Sequence, residues 1–148
     1  MTPSIAVRFC DLGWPIISPL ISWHSGSWIN HCDLVLNAGL VSAMPVSGVR
    51  LRTPASLPAK RELTIALHCT PEQHSHAAVF AAAQIGKHYD YFGTLAFPFR
   101  PPWNDKGRWF CSELTAACLH EAGIITVPKK ASRISPAYLF QLCGGIER

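Results

Sequence analysis

Between residues 63 and 73 the chain changes its period, and that change sets the class of fold. Leu63-Thr64-Ile65-Ala66-Leu67-His68 alternates apolar with less apolar residues, as a strand with one buried face does. Thr70-Pro71-Glu72-Gln73 then opens a helix. Thr70 caps, Pro71 takes the first helical position, and Gln73 completes a capping box. The alanine-rich stretch 77–85 continues that helix and Gly86 ends it.

Upstream of this switch the chain reads mostly as strands. Residues 4–9 have strand composition, with a turn at Asp11-Leu12-Gly13, and residues 16–23 make a short helix with Pro19 near its start, ended by residues 24–27. The second half of residues 28–36 is β-branched and apolar enough for a core strand. It starts near His31, with Asp33 on the same face because strand side chains alternate. Asn37-Ala38-Gly39 turns the chain into a returning strand over 40–43, which lays Ser42 across from the His31 end. Residues 49–52 alternate like an edge strand, followed by a loop over 53–58.

Downstream, residues 87–107 form a long loop rich in aromatics and proline, of a length usually tied to function. It delivers the chain to Arg108-Trp109-Phe110-Cys111-Ser112-Glu113-Leu114. After Cys111, Leu114, Ala117, Cys118 and Ala122 fall at helical spacing and Gly123 supplies a stop. Residues 124–127 are extended, 129–133 a polar connection, and Ser135-Pro136 caps a last helix through Leu142. With no repeats and no linker, residues 1–148 read as a single α+β domain with helices packed on an antiparallel sheet.

Composition narrows the function. At 49% hydrophobic and 15% charged the chain can bury a real core, and its formal charge of +4 comes from scattered Lys and Arg. Without a dense basic face or a reading motif, no nucleic-acid partner is expected. Six cysteines at 10, 32, 69, 111, 118 and 143 lack the spacing of a disulfide framework or paired CxxC knuckles, so they read as reduced thiols. Arg8 and Asp11 in the apolar N-terminal part argue against a secretory signal, and Pro15, Pro19, His24 and Asn30 break the most hydrophobic region below membrane-spanning length. The expected setting is cytoplasmic, with release by phage-associated or non-classical export left open.

Cys111 at a helix start is where a thiolate is helped, since unpaired N–H groups and the helix dipole favour negative charge there. A buried cysteine is otherwise an inert small residue. His31, on a core strand, is of the type that takes a thiol proton and later protonates a leaving group. A third polar group fixes such an imidazole. Ser42 on the next strand is placed for it, whereas Asp33 is chemically stronger but would have to bend back. His74 and His76, two apart on a helix, do not face one another, and no HxxxH or CxxC pair accompanies them, so neither metal nor cofactor is expected. His88 borders the long loop, and the tryptophans at 14, 23, 28, 103 and 109 suit core and cleft walls.

The segments SPLISWHSGSWINHCDLVL, GLVSAMPVSGVRLR, GKHYDYFG, WFCSEL and SRISPAYLFQL together resemble the circularly permuted branch of the NlpC/P60 papain-like superfamily, which includes YiiX-like proteins and relatives of lecithin retinol acyltransferase. The resemblance implies a papain-like fold of permuted topology, with an antiparallel sheet or small barrel against helices. It implies Cys111 as nucleophile, His31 as base in the permuted order of histidine before cysteine, and Ser42 at the place of the third polar residue. It also implies a cysteine hydrolase that cleaves an amide bond, with cell-wall peptide as the expected substrate. A lipid amidase, acyltransferase or thioesterase using the same pair is the alternative, and a catalytically silent binding or phage virion module is another.

Overall fold

A computed structural model of the protein describes residues 3–37, 39–91, 107–128 and 134–146. Strand β1 (Ser4–Asp11) is followed by helix α1 (Ile17–Ser25) and three strands, β2 (His31–Leu36), β3 (Gly39–Met44) and β4 (Gly48–Arg52). Strand β5 (Arg61–His68) leads into α2 (Pro71–Gln84), and two-residue strands β6 (His88–Tyr89) and β7 (Arg108–Trp109) precede α3 (Cys111–Glu121) and α4 (Pro136–Leu142). The change of period at residue 70 is the boundary between β5 and α2, with both halves of the capping box formed.

The five long strands pair antiparallel in the order β4-β3-β2-β1-β5. Of the sheet and the small barrel expected as alternatives, the sheet is the form observed: β4 and β5 end it without pairing to each other, so no barrel closes among the described residues. Strand β4 is an edge, as its alternation suggested. Asp11, expected in a turn, is the last residue of β1, held there by pairing with Arg61. Residues 124–127 form no strand. The N–H groups of Ile124 and Ile125 return to the Leu119 carbonyl at the end of α3, which uses up the donors a strand would need.

Helix α3 lies against β2 and β3, with α2 and α4 beside it. Every residue from Cys111 to Leu119 is buried, an unusually complete burial for one helix. Ile5, Val7 and Phe9 of β1, Leu34 of β2, Val41 of β3, and Leu114 and Leu119 of α3 belong to the core cluster. Each such side chain is worth about 1.5–3 kcal/mol removed from water. Phe9 meets Phe140 of α4 edge to face, with ring centroids 5.2 Å apart.

The start of α3 is pinned from several directions, and this decides where Cys111 sits. The short parallel pairing of β6 with β7 brings Trp109 beside Tyr89. The Trp109 indole donates to Gln84 Oε1 at the end of α2 (3.1 Å), and its ring meets Phe80 edge on. Glu113, at the third position of α3, accepts the Phe110 N–H at 3.3 Å, the half of a capping box that Phe110 cannot reciprocate. Ser112 donates to the Ile134 carbonyl, and Thr115 to the Cys111 carbonyl at 3.1 Å.

Candidate active site

The register of the sheet assembles the polar side chains. Cys10 lies opposite His31 and Arg8 opposite Asp33 across β1 and β2, so His31, Asp33, Cys10 and Arg8 share one face. Continuing the β2–β3 pairing one step from Leu34 and Val41 sets Ser42 opposite Asp33. All but Cys10 carry polar or charged side chains into a buried position.

His31 Nε2 lies 2.7 Å from Asp33 Oδ1 and 3.1 Å from Ser42 Oγ. A carboxylate only accepts, so Nε2 carries the proton, and Nδ1 is the nitrogen left for the thiol. Against the cost of burial, His31 first and then Ser42 and Arg8 hold the Asp33 carboxyl below its ordinary value. Asp33 therefore does what it was expected to need a bend to do. Two residues apart on one face, a long imidazole ring leaning along the strand spans the gap to a short carboxylate without any distortion of β2. Both Ser42 and Asp33 reach the histidine, and the tighter, charge-assisted contact belongs to Asp33.

The groups that act on the Cys111 thiol are His31 and, through both its side chain and its backbone, Cys32. Burial opposes ionisation of the thiol. The Cys32 donors and the charge and hydrogen bond of His31 overcome it, bringing Cys111 down to about 5. Burial likewise disfavours the imidazolium, but the Asp33 charge, the thiolate and their hydrogen bonds push His31 up to about 10. The two shifts describe one coupled thiolate–imidazolium pair. Among the other thiols, burial pushes Cys10 and Cys32 well above the usual range and Cys118 and Cys143 up to about 12. None of the described cysteines forms a disulfide.

Sequence reasoning passed over three participants. Arg8 was weighed only against a signal peptide, yet it is buried and faces Asp33. Glu62 holds Arg8 from β5, and Cys32 acts on the Cys111 thiol. A charged residue within an otherwise apolar strand was the available sign for Arg8; the other two depend on register. At this same end of the sheet, Asp11, Trp14, Ser18, Asn30 and Lys60 line a cavity of about 230 Å³. Asn30 there is buried and holds Asp11 and Ser18 in place through its amide.

Several expectations concern residues beyond this description. Positions 92–106 of the 87–107 loop, including Trp103, lie outside the described residues. The 129–133 connection also lies outside. Trp109 fills core, and Trp28 is stacked under Arg61, 4.1 Å from ring centroid to guanidinium carbon. Trp23 is exposed. No helix among the described residues is long and apolar enough to cross a membrane. No group of three or more His, Cys, Asp and Glu among them could hold a metal ion, and His31 Nε2 is committed to Asp33 and Ser42.

No family model matches the chain, and no curated protein matches it. Among solved structures it is similar to the crystal structure of metalloprotein yiiX from Escherichia coli O157:H7, with 19% of residues identical, 82% of this chain and 67% of that chain covered, and a TM-score of 0.59. At that identity the likeness is one of fold. The α+β arrangement observed here is YiiX-like, as the resemblance implied.

Proposed function

We propose that the protein is a cysteine hydrolase acting on an amide bond, with Cys111 as nucleophile and His31 as acid and base. The observation that carries this reading is the buried imidazole of His31, its Nε2 held 2.7 Å from a buried carboxylate and its charge coupled to Cys111. In the resting state the thiol proton resides on His31. Attack of the Cys111 sulfur on a carbonyl carbon builds a tetrahedral oxyanion, and backbone N–H groups at the start of α3 are the donors assigned to it. Its collapse, with proton transfer from His31 to the leaving amine, leaves an acyl-cysteine. His31 then deprotonates water for the second half of the reaction. Asp33 keeps the ring in the tautomer both halves need, and Ser42 supports Asp33.

Cell-wall peptide is the substrate we favour. Acyl lipid is second, because an acyl-cysteine serves amide, ester and thioester carbonyls alike and its acyl group passes to water or an amine. A silent binding module was attractive while a serine alone oriented the histidine; a carboxylate at Nε2 weakens that reading. The test is incubation of the protein with cell-wall digests and, separately, acyl lipids, read by product release and intact mass. Product release with an acyl adduct on Cys111 is expected. Cys111→Ala and His31→Ala should abolish release while circular dichroism stays native. Full turnover of a verified substrate by Cys111→Ala would remove the proposal.

A further inference from the structure

Asp33 is fully buried, and its two oxygens have different tasks: Oδ1 takes His31 Nε2, while Oδ2 faces Arg8 Nη1 at 3.4 Å. Rotation of the carboxylate would break one contact or the other. Arg8, on the neighbouring strand, is 5% exposed and is itself held on its other sides. Its Nε donates to Glu62 Oε2 at 2.6 Å, Nη2 pairs with the same carboxylate, and Nη2 also donates to the Leu57 carbonyl at 2.7 Å. Glu62 alone would satisfy the charge of Arg8 at the half-exposed rim of β5. A buried carboxylate is costly without cations and hydrogen bonds; Asp33 draws first on His31 and Ser42 and then on Arg8 at Oδ2, so the reach of Arg8 to Asp33 has a purpose that a surface ion pair does not supply.

We infer that Arg8, braced by Glu62 and the Leu57 carbonyl, is a positioning residue that fixes Asp33 so that the carboxylate holds His31 against the Cys111 thiol. This rests on the reading of Cys111 and His31 as a working pair. The other ionisable groups near that pair include Cys10 on β1, Cys32 on β2, Arg52 on β4 and the buried Glu113 on α3, which is bound to the Phe110 N–H. Burial keeps both thiols protonated, and Arg52 adds a weaker positive influence on Asp33.

Labelling of Cys111 by iodoacetamide against pH, followed by peptide mass spectrometry, reads the thiolate directly and needs no substrate. In the wild-type protein the acid limb should lie near pH 5. Arg8→Gln should raise that limb by about one pH unit, a roughly tenfold loss of labelling rate on its acid side, and Arg8→Lys should restore most of it. Glu62→Gln covers the case in which Arg8→Gln does not fold, because its site is at the rim. Deleting a negative charge by itself favours the thiolate and lowers the limb; loss of the brace on Arg8 raises it. We expect the rise. If folded Arg8→Gln keeps the wild-type limb, if Arg8→Lys labels like Arg8→Gln, or if Glu62→Gln lowers the limb, the role of Arg8 is overturned. A wild-type protein with no acid limb near pH 5 would instead remove the functional reading beneath it.

Discussion

Replacing Asp33 by Asn is the sharpest perturbation of the site, because it removes one charge while keeping nearly the same shape in a fully buried position. The bond lost is a charge-assisted one of 2.7 Å to His31 Nε2. Hydrogen bonds to charged groups are worth about 1.5–3 kcal/mol, against about 0.5–1.5 kcal/mol for neutral ones. The Asp33 charge is the main influence that raises His31 against the cost of burial, so without it the imidazolium weakens and the proton returns to the thiol. That transfer should shift roughly 10- to 150-fold toward the neutral pair, moving the acid limb of Cys111 labelling up by about one to two pH units. The Ser42 bond, 3.1 Å long and uncharged on the serine side, supports a smaller loss. Ser42→Ala should slow labelling on the acid limb by roughly 2- to 12-fold. Iodoacetamide titration of the three proteins side by side, with circular dichroism to check folding, measures both effects. An Asp33→Asn protein with an unshifted limb, or a Ser42→Ala protein shifted further than Asp33→Asn, would refute the assignment of the orienting role to Asp33.

Hydrolysis should follow a bell in pH: below about 5 Cys111 takes up a proton and the nucleophile is lost, and above about 10 His31 gives up the proton the leaving group needs, so kcat/KM against pH should show limbs near those values. Gly48 has φ +68° at the start of β4, and a Cβ there would run into the Lys87 carbonyl oxygen. Gly48→Ala should therefore lower stability in urea by more than the about 1–2 kcal/mol that a left-handed conformation costs an L-residue. Thr70→Ala removes one arm of the α2 capping box and should cost about 1 kcal/mol in the same assay, with Cys111 labelling unchanged.

How much of this was legible beforehand differs from element to element. The start of α2 was readable from four residues, because a cap is satisfied by neighbours three positions away. The helix opening at Cys111 was readable from the apolar spacing after it, and β2 with Asp33 on the face of His31 from alternation alone. The β6–β7 pairing that pins Trp109 was not, since two residues carry no periodicity and their partners lie twenty positions away in the chain, His88 against Arg108.

By itself the sequence determined what depends on near neighbours: the α+β order of elements, the place of Cys111 at a helix start, and the presence of His31, Asp33 and Ser42 on adjoining strands. Only the tertiary structure decided which of these reach one another. The register of β1 on β2 set Arg8 against Asp33, and a strand shifted by one residue would have turned Arg8 to the opposite face. Packing of α3 on β2 brought Cys32 and Cys111 together and buried both thiols away from bulk water. Removing that water strengthens both the cost of burying charge and the attraction between buried charges, and it is this balance, absent from any local stretch of chain, that makes the Cys111 thiol acidic.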